Sequence, residues 1–184
     1  MINDNLGGLV NLWVRFLLVV LRAWRAKPIT MLETSEVKFR TWFHDLDINL
    51  HMNNGRYLTL MDLGRMDLMI RTGLSREVLQ NKWMPVVASV HMTFRRSLSP
   101  LQKFSLRTRV IGLDEKWFYI QQEFHSNHRL CARGLVKAAL KGHSGTVPTA
   151  KILAMLGAEP ESPVMTKLTK DLIEADKQIL ESLS

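Results

Sequence analysis

Cysteine is nearly absent, with Cys131 the only one among 184 residues. A single thiol excludes an internal disulfide framework and any cysteine-based zinc site, so nothing calls for an oxidising compartment. No stretch repeats and no tract is of low complexity. Long apolar runs are missing too. The most apolar stretch, Leu9 to Trp24, has 16 residues, about 24 Å of helix at ~1.5 Å per residue against a bilayer core of ~30 Å. Arg15 would sit near its middle, at a cost of roughly 2.5–3.5 kcal/mol. No small-residue cleavage site follows, which argues against a cleaved signal peptide. His44, Asp45, Asp47 and His51 stand close together, but their spacing fits no familiar ligand set, so neither metal nor cofactor is expected.

Acidic charge is in deficit, 17 residues against 25 basic, for a net charge of +8. The excess is local. Residues 1–30 hold 4 basic and 1 acidic residue, 31–90 hold 7 and 7, 91–143 hold 10 and 3, and 144–184 hold 4 and 6. A basic block at 91–143 suits phosphate-bearing ligands or an anionic surface, although solvation alone accounts for any one of these charges. The block lacks interleaved aromatics for base stacking, so nucleic acid is not an expected partner. Its length predicts one domain with appendages, divided as 1–28, 29–145 and 146–184.

Residues 6–26 read as a helix with a wide apolar face and a narrow polar stripe of Asn11, Arg15, Arg22 and Arg25. Trp13, Trp24 and the Arg22/Arg25/Lys27 cluster suit a helix lying in a membrane interface, with packing on the domain or on a second chain as the rival. Val37 to Phe43 alternates as a half-buried strand. From Tyr57 to Ile70 apolar residues surround most of a helix, with Asn53 or Asn54 as its N-cap and Gly73 at its end. A short helix over 75–82 follows. Four strand-like runs come next, at 84–97, 102–113, 116–126 and 129–141, with tight turns at Asp114-Glu115 and Asn127-His128. A helix over 149–156, a proline-bearing linker and a polar helix over 164–183 complete the chain. Strands following one buried helix predict an α+β fold in which an antiparallel sheet wraps that helix.

Between the first strand and the buried helix lies His44-Asp45-Leu46-Asp47-Ile48-Asn49-Leu50-His51-Met52-Asn53-Asn54-Gly55-Arg56-Tyr57. Carboxylates, imidazoles and carboxamides are concentrated just before a helix N-terminus, whose free N–H groups favour negative charge. From the residues alone, Asp47 or Asp45 capping a turn is a better reading than catalysis, and His51 packed in the core is as good a reading as a catalytic one. Asp62 and Arg65, three apart on the helix, predict a structural ion pair.

The pattern Asp47-x-Asn49-x-His51-x-Asn53-Asn54-x-x-Tyr57 resembles the hotdog-fold thioesterases of the 4-hydroxybenzoyl-CoA thioesterase family. Arg95-Arg96-Ser97-Leu98 and Phe104 to Arg109 extend the resemblance toward the group of thioesterase superfamily member 6 and its bacterial relatives. It runs from about Asp45 to Lys141. The resemblance implies a hotdog domain, paired as a homodimer or a dimer of dimers with sites at the interface. It implies a catalytic role for Asp47 as nucleophile or general base, with the backbone N–H of Asn54 polarising a thioester carbonyl. Asn49 and His51 match further catalytic residues of the plant acyl-carrier-protein type. The family pattern often has glycine where this chain has Leu50.

The function expected is therefore hydrolysis of a fatty-acyl thioester of CoA to acid and CoA. Acyl-carrier-protein thioesters and a non-catalytic acyl- or lipid-binding or scaffolding role are the alternatives. Arg95, Arg96, Arg107 and Arg109 are candidates for the CoA phosphates, although alternation along strands lets only about half of the basic block share a face. A cytoplasmic enzyme, peripheral to a membrane through residues 6–26, is the expected setting.

Overall fold

The computed structural model describes residues 6–157 and 167–182. Its elements are α1 (Leu6–Arg25), β1 (Ser35–Arg40), a 3-10 turn (Phe43–Asp45), α2 (Asn54–Arg71), α3 (Leu74–Gln80), β2 (Met84–Phe94), β3 (Lys103–Leu113), β4 (Phe118–Ser126), β5 (Arg129–Gly142), β6 (Gly145–Thr146), α4 (Thr149–Met155) and α5 (Lys167–Ser182). The proline-bearing linker before α5 lies outside the described residues.

The sheet is antiparallel in the order β1-β3-β4-β5-β2, with β6 paired to β5. Leu106, Phe124 and Ala132 form one row across its middle, and Ile120 and Val136 belong to another. These inward side chains meet Tyr57, Leu60, Met61 and Leu68 of α2 in one core. Extra residues at Ala88 of β2, Ile111 of β3 and Cys131 of β5 let these strands bend, which curls the sheet around α2. Gly64 sets the approach, since a Cβ there would lie 2.7 Å from the Thr108 hydroxyl. The buried Gln122 amide donates to the Met61 carbonyl and to Thr108, and its oxygen accepts from Arg65. Arg65 also pairs with Asp62, the ion pair the spacing predicts.

Local chemistry explains the element ends. Asn53 caps α2 by accepting the Gly55 N–H at 2.8 Å, and Gly73 stops it with φ of +80°. Asn127 and His128 both take positive φ, as a two-residue hairpin turn demands. The first strand is shorter than its alternation predicts. It stops at Arg40 because the Asp45 carboxylate accepts the Trp42 N–H and folds 43–45 into a 3-10 turn.

The orientation of α1 was not legible in its pattern. Two of its arginines, Arg15 and Arg22, turn to the domain, while Arg25 is exposed. Arg15 makes two hydrogen bonds to Asp45, at 3.0 and 2.6 Å, and Arg22 reaches Asp67 on α2 and the Glu36 carbonyl on β1. Both carboxylates are buried, so each needs a cation. Val19 and Ala23 fill the seam between these two ties. Trp13, Val14, Leu17, Leu18 and Trp24 consequently point outward, Trp13 63% and Trp24 70% exposed. Among the described residues no helix is long and apolar enough to cross a membrane.

Helix α5 lies on the sheet face opposite α2. Its Asp176 accepts from Ser89 at 2.7 Å, contacts His91 at 3.1 Å and lies 3.6 Å from the Lys137 ammonium. Burial pushes the Asp176 carboxyl up, but the Ser89 and His91 hydrogen bonds and the Lys137 charge outweigh it and hold the group below the usual carboxylate range.

Candidate active site

The loop between the 3-10 turn and α2 is a tight polar turn built on Asp47. The Asp47 N–H donates to the His51 carbonyl at 2.8 Å, and the Leu50 N–H donates back to the Asp47 carbonyl at 3.1 Å. Its Oδ1 accepts the N–H groups of Asn49 and His51, at 2.9 and 3.2 Å. Oδ2 has no partner among the described residues. The turn requires a left-handed residue, and Leu50 fills that place with φ of +57°. This is a position that favours glycine. Met52 anchors the far side by donating its N–H to the Leu98 carbonyl at 2.9 Å.

The start of α2 faces the same space. Asn53 takes up the Gly55 N–H with its side chain and the Arg56 N–H with its carbonyl. The Asn54 N–H remains without an acceptor among the described residues, as one of the first amides of a helix. Asp47, His51, Asn54, Tyr57, Phe94, Arg95, Arg96 and Ser97 line one open recess of about 290 Å³. Tyr57 forms its floor, edge-on to Phe94 and Phe124, and burial pushes its hydroxyl pKa up to about 12. It is therefore a neutral wall rather than a base. His44 stands behind the loop, where burial, reinforced by Arg15 and Arg56, holds it below its ordinary value against the pull of Asp45.

The structure thus brings Asp47, His51, Asn54, Arg95 and Arg96 together. It does not bring in Asn49, whose side chain is exposed outside the recess and whose backbone N–H supports Asp47 instead. Arg107 and Arg109 lie elsewhere. They project from the opposite face of the sheet, among Glu36, Gln121 and Glu123, with Arg107 paired to Glu36 at 2.9 Å. Strand parity separates them, because Leu106 and Thr108 take the inner face. Tyr57, Phe94 and Ser97 line the recess without having been picked out. Tyr57 and Ser97 carried a signal, standing in the polar motif and in the Arg95-Arg96-Ser97-Leu98 run, whereas Phe94 arrives only through the fold. Among the described residues no group of three His, Cys, Asp or Glu side chains is placed to hold a metal.

A second space is apolar. Met66, Met69, Leu74, Val86, Val87, Phe118 and Ile120 enclose part of a cavity of about 220 Å³, between the C-terminal half of α2 and the start of β2. Asp62 and Arg65 also line it.

A curled antiparallel sheet around one long helix, with a polar loop at that helix's N-terminus, is the hotdog architecture. Residues 41–156 match the model of the thioesterase-like superfamily, and the chain belongs to that superfamily. It is 39% identical over 124 residues to the protein THEM6 of Danio rerio, a match spanning 66% of this chain and 61% of that relative. It is 24% identical over 153 residues to the thioesterase lcsJ of Purpureocillium lilacinum, spanning 70% of this chain and 50% of that one. The chain thus spans between half and about three fifths of the length of these curated relatives. Among solved structures it is similar in fold to BH1999, a gentisyl-coenzyme A thioesterase. The TM-score is 0.60 and the identity 20%, covering 65% of this chain and 99% of that one.

Proposed function

We propose that this protein hydrolyses an acyl-CoA thioester, with Asp47 supplying the attack and the N-terminus of α2 polarising the carbonyl. The observation that carries this reading is the pairing of the unpartnered Asp47 Oδ2 with the unpartnered Asn54 N–H on one recess. Thioester hydrolysis needs a carboxylate or imidazole to attack or to activate water, and a donor where the oxyanion develops. With Oδ1 held by two amides, Asp47 keeps one oxygen for either role, nucleophile or general base. His51, exposed at the rim, is placed to orient water. Arg95 and Arg96 are exposed beside the recess and suit the phosphates of CoA. The name of BH1999 as a coenzyme A thioesterase supports CoA as the carrier. Free-thiol release across a series of acyl-CoA chain lengths is the test. We expect hydrolysis by the wild type and loss in Asp47→Ala; no release, or equal release by both, refutes the reading.

The acyl group needs an apolar slot, and we infer that a second chain provides it. β2 is an edge strand of 11 residues with Met84, Val87 and Phe94 exposed, a template for pairing. Antiparallel pairing of two such strands sets the recess end of one chain, at Phe94, against the cavity end of the other. Sedimentation of the wild type should give a dimer, and Val90→Lys a monomer; a wild-type monomer contradicts this.

A bilayer contact through α1 follows from its outward apolar face. Arg25, Lys27, Lys38 and Arg40 are exposed around it, which suits anionic headgroups. Co-flotation with liposomes of anionic lipid should be lost when Trp13, Leu17, Leu18 and Trp24 are all replaced by Gln. Unchanged flotation removes the membrane reading.

A further inference from the structure

Asp45 joins parts of the fold that are distant in sequence. Its carboxylate, 1% exposed, closes the 3-10 turn through the Trp42 N–H at 2.8 Å. Arg15 of α1 grips both oxygens and also donates to the Arg40 carbonyl at 3.1 Å. Arg56, in the first turn of α2, lies 3.5 Å from Oδ1 and donates to the His44 carbonyl at 3.2 Å. The Asp45 carbonyl accepts the N–H of Asn53, the α2 cap, at 2.8 Å. Asp45 therefore sits where the Asp47 turn leaves β1 and where it returns to α2. Asp47 and Asn54, which line the same recess, lie on either side of these ties.

A buried carboxylate is stable in such a place only when it is paired, and a two-pronged arginine is the strongest pairing available. The superfamily match begins at residue 41 and leaves α1 out. We propose that Arg15 is a positioning residue of the active site, acting through Asp45 to hold the Asp47 turn against the start of α2. Helix α1 is then a working part of the site. The proposal rests on the thioesterase reading for its kinetic consequence but not for its structural one.

The same helix supplies the control. Arg22 also docks α1, but on Asp67 and the Glu36 carbonyl. Asp67 lies 13 residues beyond Asn54 on α2, about 20 Å away at ~1.5 Å per residue.

The test measures amide hydrogen exchange over residues 46–56, together with kcat and KM for thiol release, in the full chain and in Arg15→Gln and Arg22→Gln. Misplacement of reacting groups by about 1 Å costs on the order of 100-fold. Arg15→Gln should therefore lower kcat about ten- to a hundred-fold with little change in KM, and speed exchange at Asn49, His51 and Asn53 about ten-fold. Arg22→Gln should leave both unchanged. Arg15→Lys, which restores a cation to Asp45, should recover part of kcat. Because Arg15→Gln strands a buried charge, Arg15→Gln combined with Asp45→Asn serves as the second variant; it removes that charge and should loosen the same amides. If neither Arg15 variant loosens the turn, or if Arg22→Gln loosens it as much, the proposal is overturned. A wild type that releases no thiol ends the hydrolase reading alone, and the exchange result still decides the positioning role.

Discussion

At the scale of single residues the site is organised by backbone demands more than by side-chain reactivity. Asp47 is fixed because two amides converge on one of its oxygens, and that convergence needs the turn that Leu50 closes with φ of +57°. A left-handed leucine is strained by about 1–2 kcal/mol, of which a glycine gives back about 0.4–1 kcal/mol through its freer unfolded chain. Leu50→Gly should thus raise stability by about 0.5–1 kcal/mol, seen as an increase in Tm of about 1–4 °C by calorimetry. An unchanged or lowered Tm would mean that Leu50 gains more from its surroundings than the backbone loses. The turn chemistry was partly legible in the sequence. Asp47, His51 and Asn54 sit in one continuous motif, and a helix start after Asn53 follows from capping alone. The exclusion of Asn49 from the recess was not legible, because a one-residue turn decides which way a side chain points.

At the scale of elements, periodicity carried far and long-range pairing did not. The near-continuous apolar cover of α2 and the alternation of four successive strands identify a sheet wrapped on a helix. Turn residues such as Asn127 and His128 place the hairpins. The stripe on α1 was visible too, but the partners of its arginines were not, because Asp45 and Asp67 lie 30 and 45 residues away from Arg15 and Arg22. Nothing local announces them. The split of the basic block has a similar cause: Arg95 and Arg96 follow the end of β2 at the recess, while parity along β3 sends Arg107 and Arg109 to the other face. Helix α5 gives a prediction at this scale. Its Asp176 ionises more readily docked than in the unfolded chain. Its contribution is therefore complete above the ordinary carboxylate pKa of about 3.9 and drains away as pH falls through and below that value. Amide protection in α5, corrected for intrinsic exchange, should fall between about pH 4 and pH 2 more than protection in α2, and Asp176→Asn should flatten the difference. An equal loss of protection in both helices would mean that Asp176 does not hold α5 to β2 and β5.

At the scale of the whole molecule, three features point to one arrangement. The recess lies at one end of β2, the apolar cavity at the other, and among the described residues no strand pairs with the outer edge between them. Helix α1 is tied through Asp45 to the loop that lines the recess and turns an apolar face away from the domain, the face proposed to meet a bilayer. Family membership and fold fit a thioesterase, and the proposed chemistry at Asp47 is the centre of this picture. The most direct test compares the wild type with Asp47→Asn in kcat/KM for thiol release from a long-chain acyl-CoA, with CoA affinity measured on the same samples by calorimetry. Removing a nucleophile or general base costs at least about 100-fold, so kcat/KM should fall by that much while CoA binding stays unchanged. Wild-type hydrolysis in Asp47→Asn would contradict the account.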